Sequence, residues 1–227
     1  MRFFECFAYP AAYKSRLDQL AIGAQKFSDR LSVFFADRYG ASHILLPVDH
    51  RDPDAFFTNW DDEKLQRSWA REAGLGDKLS LEVILLAQIE NHRAEVFYTI
   101  DPVRLGNTFL KKLPGCVKRT VAWRAAPGVA TAFSNYNVIV NNFPSILAGF
   151  ENEGCRTAYL APSHDPAMNQ FATNEKRPVD VVFVGGYSRY HKRRATVLEA
   201  VSRLAGRYRV AMHLEQSRLS RLAACSL

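Results

Sequence analysis

The sequence predicts an α/β fold in which strands and helices alternate around a parallel sheet. Short runs rich in β-branched and aromatic residues, such as residues 95–100 (EVFYTI), alternate with segments such as residues 79–93, whose length and apolar content favour helix. Strands that alternate with helices at this spacing are typical of a parallel sheet covered on both faces. The chain has 227 residues, 48% of them apolar, and can therefore bury a large core.

The first quarter of the chain opens with a strand. Residues 2–8 fit a strand that stops before Pro10, because proline cannot continue a ladder from within. A long helical tract follows through residues 27–40. Residues 43–48 (HILLPV) fit either a buried helix or a strand, and Pro47 predicts a break or bend there.

A second strand and a capped helix come next. Residues 54–59 (DAFFTN) predict the strand, and residues 60–74 predict a helix. Asp61 or Asp62 provides the capping oxygen of this helix, and Gly74 ends it.

The rest of the first unit repeats the alternation. The remaining strands are predicted at residues 95–100, 117–123, 137–140 and 156–160, and the remaining helices at residues 105–112 and 144–154. Residues 1–160 are therefore predicted to form one α/β domain built on a parallel sheet.

A change of composition marks the end of that domain. Residues 161–178 are rich in Pro, Ser, Asn and Thr and have no sustained apolar period, which predicts an interdomain linker. Residues 179–227 begin a second α/β unit, with strands at residues 180–184 and 207–214 and a helix from His191. This unit is shorter than a usual α/β domain, so we expect it to be incomplete.

Charge and cysteine usage exclude some classes of protein. Thirty basic and 23 acidic residues give a net charge of +7, which suits an anionic ligand, an anionic surface or nucleic acid without choosing among them. The four cysteines are far apart, with no CxxC pair and no Cys/His cluster, so neither a disulfide framework nor a metal site is expected. Without a long apolar run or a recognisable signal peptide, the sequence predicts a cytoplasmic protein with no transmembrane segment.

A glycine pair in residues 177–201 (RPVDVVFVGGYSRYHKRRATVLEAV) is the first candidate binding element. The candidate binding residues are Gly185, Gly186, Tyr187, His191, Arg193 and Arg194. A glycine turn between a strand and a helix allows backbone N–H groups to approach a phosphate, and the positive end of the helix dipole favours the anion. The alternative is a tight turn followed by a solvated basic helix face.

Two further residues are candidates for acid–base chemistry. Asp101 follows a strand, at the edge where open α/β sheets bind ligands, so it is either an acceptor contact or general base, or an ordinary cap for the helix after Pro102. His164 precedes Asp165-Pro166 in the expected hinge, within reach of an interdomain cleft. The dipeptide is also a common start of a turn.

Four blocks of sequence resemble one family of enzymes. These blocks are LQRSWAREAG, LLAQIENHRAEVFYTID, NYNVIVNNFPSILAGFENEGCRTAYLAPSHDP and VDVVFVGGYSRYHKRR. They are similar to the amino-terminal domain, the hinge and the first strand, turn and helix of the donor domain in GT-B glycosyltransferases, above all the spore-maturation-type enzymes of bacteria. The resemblance covers most of the chain from about residue 60 onward.

The resemblance implies two Rossmann-like domains and a sugar transfer of the hexosyltransferase type. The amino-terminal domain would receive a hydroxyl acceptor on a glycan, a lipid carrier or a protein, and the second would hold a nucleotide-diphosphate sugar as donor substrate. Asp101 or His164 would take the acceptor proton. No DxD-like carboxylate pair follows a strand, so we expect neither a metal nor another cofactor. Since most of the donor domain is absent, we expect this chain alone to show little or no transfer.

A nucleic-acid-binding α/β module without catalytic activity is the alternative. The run HKRR and the arginines of SRLAGRYR and SRLSR favour it. Against it, most aromatic residues lie inside apolar runs, and no nucleic-acid-binding motif is present. We therefore expect no nucleic-acid partner.

Overall fold

Six parallel strands form the sheet of the first of two structural units. In the computed structural model, which describes residues 1–76, 78–173, 175–186 and 192–215, the units are Met1–Asp165 and Pro166–Leu227. The six strands are β1 Phe3–Phe7, β2 Ala55–Asn59, β3 Val96–Thr99, β4 Arg119–Trp123, β5 Val138–Asn141 and β6 Thr157–Tyr159. Their order in the sheet is β2-β1-β3-β4-β5-β6, and all five pairings are parallel. The predicted α/β fold with a Rossmann-like parallel sheet is confirmed.

Seven α-helices are described in the first unit. They are α1 Ala11–Leu20, α2 Phe27–Asp37, α3 Leu46–Asp49, α4 Glu63–Glu72, α5 Leu81–His92, α6 Asn107–Leu110 and α7 Pro144–Asn152. Asp62 caps α4 by accepting a hydrogen bond from the Leu65 N–H, as one of the two predicted caps, and Gly74 follows the helix with a φ of +70°. No helix in the described part of the chain is both long enough and apolar enough to cross a membrane.

The second unit contains a two-stranded parallel sheet. Strand β7 (Val181–Gly186) pairs with strand β8 (Val210–Glu215), and helix α9 (Lys192–Ser202) lies between them in the chain. The short helix α8 (Asn169–Ala172) lies in the segment for which the sequence predicted a linker.

Two predictions for the region before β2 differ from the structure. The helix predicted over residues 27–40 ends at Asp37, because Arg38 adopts a left-handed conformation with a φ of +58°. Residues 43–48 form neither a strand nor one continuous helix, since a 3-10 turn at Ala41–His43 is followed by α3. Pro47 lies in the first turn of α3, where a missing N–H costs no helical hydrogen bond.

The two faces of the first sheet pack against different helices. Alternation along β1 puts Phe7 on one face, where it clusters with apolar side chains of α1, α2 and α3. Phe4 and Cys6 lie on the other face and cluster with side chains of α5 and α6. The second face continues under β4 and β5, where Ala122 and Ile139 pack against α7.

A buried ion pair joins α2 to the start of α4. The Arg30 Nε lies 2.7 Å from the Asp62 carboxylate, and the two side chains are 5% and 3% exposed. A second guanidinium nitrogen of Arg30 lies 2.6 Å from Asp18 of α1. Burial alone would lower the pKa of Arg30, but the hydrogen bonds and charges of Asp62 and Asp18 outweigh it and raise that pKa. One guanidinium therefore links three helices.

We predict that Arg30→Met destabilises the fold by about 3–5 kcal/mol, because the substitution leaves the buried Asp62 carboxylate without its partner. Adding Asp62→Asn should recover part of the loss, since asparagine keeps a capping oxygen and carries no charge. Urea denaturation followed by circular dichroism measures both free energies of unfolding.

The control for this prediction is Lys112, a long cationic side chain whose ion pair lies at the surface. Lys112 lies 2.6 Å from Glu82, with side chains 49% and 38% exposed, so Lys112→Met should change stability by less than about 1 kcal/mol. A loss of that small size for Arg30→Met, or a double variant no more stable than Arg30→Met, would contradict the prediction.

Candidate functional site

The carboxyl edge of the first sheet contains the position at which such folds usually bind ligands. The chain crosses from β1 to β2 on one side and later returns to β3 on the other, so connections diverge between β1 and β3. In open α/β sheets, the crevice at this switch point is the usual ligand position. Asp101, the predicted acceptor contact, follows β3 and lies at this edge.

Asp101 is held by two neighbouring side chains. Its carboxylate lies 2.6 Å from the Arg104 Nε and accepts a hydrogen bond of 3.1 Å from the Trp60 indole N–H. Its backbone carbonyl also accepts a hydrogen bond from the Leu105 N–H, which closes a turn ahead of α6. Asp101 does not cap a helix, since the N-cap of α6, the next helix, is Gly106. The ion pair with Arg104 was not indicated by the sequence.

A second carboxylate completes this polar network. The Asp61 side chain is 7% exposed and contacts the Lys14 Nζ at 2.9 Å and an Arg104 nitrogen at 2.8 Å. The Arg104 guanidinium also lies 4.7 Å from the centre of a Trp60 ring. Burial alone would lower the pKa of Arg104, but the two carboxylates outweigh it and raise that pKa. Two carboxylates and two cations therefore neutralise each other at the switch point.

This network limits what Asp101 can do chemically. A general base needs a lone pair directed at the substrate proton. Arg104 Nε and the Trp60 indole N–H both contact Oδ2 of Asp101, whereas Oδ1 accepts, among the described residues, only a long hydrogen bond of 3.5 Å from the Arg104 backbone N–H. Oδ1 is therefore the oxygen with lone pairs available for a substrate proton.

His164 lies in the segment that follows β6. Its side chain is exposed, and its neighbours attach the segment to the region around α2. The Ser163 N–H donates to the Ser42 carbonyl at 2.7 Å. The Arg38 guanidinium binds both oxygens of Asp165, at 2.7 and 3.0 Å. The position predicted as a hinge is therefore tied to the first unit up to Asp165.

The glycine pair belongs to strand β7, not to a turn. The sequence predicted that the strand ends at Val184, but Gly185 and Gly186 continue the ladder opposite Leu214 and Glu215. The strand extends because the parallel partner supplies pairing that no local pattern reveals. A Cβ at Gly185 would lie 3.1 Å from the Phe183 ring, so this glycine also leaves room for the aromatic side chain.

Of the basic candidate residues, the structure describes Arg193 and Arg194. Arg193 and Arg194 belong to the first turn of α9 and are exposed. An Arg194 guanidinium nitrogen donates to the Gly186 carbonyl at 3.3 Å, which places a cationic group at the carboxyl end of β7. Tyr187 and His191 lie outside the described residues. Within the described residues, no group of three or more His, Cys, Asp or Glu side chains is placed to hold a metal ion.

Glu5 is an unusual residue that the sequence analysis did not single out. It occupies the centre of β1 opposite Phe57 and Tyr98 and is 0% exposed. Both carboxyl oxygens accept from the Leu45 N–H, at 3.2 and 3.3 Å. Burial raises the pKa of Glu5 well above its ordinary value, and the Leu45 N–H offsets only part of this effect. One indication of this site was available in the sequence, because Glu5 is an acidic residue within the otherwise apolar strand FFECF.

Comparison of the sequence with models of protein families and with curated proteins found no match.

We predict that Glu5→Gln stabilises the protein increasingly as the pH rises above about 4.3, the usual glutamate pKa in an unfolded chain. Between that value and the raised native pKa, the native state binds more protons than the unfolded state, so the free energy of unfolding falls with pH. The advantage of glutamine should grow by up to about 1.4 kcal/mol per pH unit in this window.

Urea denaturation of both proteins between about pH 4 and about pH 7 tests this dependence. The matched control is Glu82→Gln, because Glu82 is 38% exposed at the surface. A stability difference for Glu5→Gln that stays flat with pH, or that shrinks as the pH rises, would contradict the assignment of a buried neutral acid.

Proposed function

We propose that the protein is a glycosyltransferase, or the acceptor-side part of one, that uses a nucleotide-diphosphate sugar as donor and a hydroxyl group as acceptor. In this proposal the first unit receives the acceptor and the second unit binds the donor. The resemblance of residues 135–166 and 179–194 to GT-B enzymes supports the proposal. The Rossmann-like sheet of the first unit is compatible with it.

One contact carries the donor side of the proposal. Strand β7 ends in two glycines, and the Arg194 guanidinium is held against the carbonyl of the second, Gly186. Ligands of parallel sheets bind beyond the carboxyl ends of the strands. A guanidinium has five N–H donors, so a bond to one carbonyl leaves others for a diphosphate oxygen. The missing glycine side chain allows the phosphate to approach the backbone.

The proposed sugar transfer needs a base for the acceptor hydroxyl and stabilisation of the departing diphosphate. Asp101 and His164 are the proposed candidates for removing the acceptor proton. For Asp101, this role would fall to Oδ1, because Arg104 Nε and Trp60 contact Oδ2. Arg193 and Arg194 would stabilise the charge that develops on the departing diphosphate.

We predict that Arg194→Ala and Gly186→Val each weaken the binding of a nucleotide-diphosphate sugar by about 10- to 100-fold. The arginine variant loses a charge-assisted hydrogen bond, worth about 1.5–3 kcal/mol, and the valine side chain obstructs the approach to the strand end. Isothermal titration calorimetry with uridine and guanosine diphosphate sugars measures the dissociation constants, and thermal melting verifies that each variant is folded.

Arg203→Ala is the matched control, because Arg203 is an exposed arginine just beyond the opposite end of α9. The Arg203→Ala variant should bind the nucleotide sugar with the same affinity as the unaltered protein. Absence of binding to every nucleotide sugar by the folded protein, or unchanged binding in both test variants, would reject the donor site. Salt-sensitive binding of random oligonucleotides that nucleotide sugars do not displace would favour the nucleic-acid-binding alternative.

A further inference from the structure

A largely apolar pocket of about 340 Å³ lies within the first unit, separate from the charged network around Asp101. Its lining includes Ile44 and Leu45, from the segment between the 3-10 turn and α3, and Leu160, which follows β6. Tyr98 of β3 and Trp123 of β4 contribute aromatic side chains from the sheet. A volume of this size is within the usual range for small-molecule sites and is too small for a protein segment with its own structure.

Two polar groups remain available in this apolar surrounding. In the described part of the chain, neither the Ser42 hydroxyl nor the ring nitrogens of His43 have a hydrogen-bond partner, although both residues line the pocket. The His43 ring packs edge-on against Trp123, with ring centres 4.8 Å apart. A few unpaired polar groups in an apolar lining are the usual means by which such pockets orient a ligand.

The pocket presents no fixed charge. Among its lining residues in the described ranges, none is Asp, Glu, Lys or Arg. Burial lowers the pKa of His43, which favours the neutral imidazole. Nearby Arg38 is paired with Asp49 and Asp165. An ionised ligand would therefore lose its hydration without gaining a countercharge, which costs several kcal/mol.

We propose that this pocket binds a neutral aromatic molecule that carries a hydroxyl group. The ring packs between Trp123 and the aliphatic wall, and the hydroxyl forms a hydrogen bond with Ser42 or His43. This binding does not depend on the glycosyltransferase assignment. Only the further step, that the bound hydroxyl compound is the sugar acceptor, rests on the proposed function.

Nuclear magnetic resonance titration with naphthol tests the pocket directly. The chain has three tryptophans, Trp60, Trp69 and Trp123, and each indole N–H gives its own signal, which Trp→Phe variants assign. We expect the Trp123 signal to shift saturably, while the signals of Trp60 and Trp69, which do not line the pocket, remain in place. No saturable shift of Trp123 up to the solubility limit of naphthol would overturn the proposal.

Two related probes test the stated chemistry of the ligand. Naphthalene, which lacks the hydroxyl, should bind about two- to tenfold more weakly than naphthol, since it loses one hydrogen bond. Naphthoate, which is negatively charged, should bind at least about tenfold more weakly because it must be desolvated without a cation. Equal or tighter binding of naphthoate would overturn the neutral character of the site, and equal binding of naphthalene would overturn the role of the polar groups.

A blocking variant locates the binding site. Ala161 is an exposed residue of the pocket lining, so Ala161→Trp should fill the space without disturbing the core and reduce naphthol affinity at least about tenfold. Ala12→Trp places the same side chain at an exposed position of α1 outside the lining and should leave the affinity unchanged. Unchanged affinity in Ala161→Trp would overturn the assignment to this pocket.

These results can be separated from those on the donor. Naphthol binding without any nucleotide-sugar binding would support the pocket and reject the proposed function. Nucleotide-sugar binding without naphthol binding would support the proposed function and reject the pocket. If both bind, simultaneous binding of naphthol and the nucleotide sugar to one molecule would support the pocket as the acceptor site, whereas mutually exclusive binding would reject that step.

Discussion

The first unit depends on a charge that is buried where three helices meet. Arg30 of α2 contacts Asp18 of α1 and the buried Asp62, which also caps α4. Because α1 and α2 cover β1 on one face, and α4 follows β2 directly, this guanidinium fixes the helices relative to the edge of the sheet. Apolar packing tolerates small shifts of a helix, but a buried ion pair requires its two groups to stay in register. The positions of Asp61 and Trp60 at the carboxyl edge follow from that register.

Regular elements were predictable because they depend on local patterns. The strands at residues 95–100 and 137–140 appear within one or two residues as Val96–Thr99 and Val138–Asn141, since apolar β-branched runs bounded by turn residues favour strands. Residues 43–48 could not be assigned, because a short apolar run fits a buried helix or strand equally well. The extension of β7 through Gly186 depends on pairing with residues near 215, which no local pattern reveals.

The polar sites were less predictable, because they depend on contacts between distant residues. Asp101 was recognisable from its position after a strand, but its partners Trp60 and Arg104 are set by the sheet order and the turn that follows β3. The pocket combines residues from two distant segments with Tyr98 and Trp123, so its existence depends on the fold. Glu5 lies within an apolar run and gave a local signal, but its complete burial required the covering residue Leu45.

The attachment of the segment after β6 has a consequence for the order of folding. Arg38 and Asp165 are 127 positions apart in the chain, and their ion pair, with the Ser163–Ser42 hydrogen bond, holds residues 161–165 beside the pocket against the rest of the first unit. Contacts that close so long a loop form late, because most of the loop entropy must be lost before they are made. The ion pair is bidentate and the Asp165 side chain is only 9% exposed, so it anchors the segment more firmly than a solvated surface pair would. We therefore expect residues 161–165, and with them one side of the pocket, to reach their final position late in folding, after the sheet has formed.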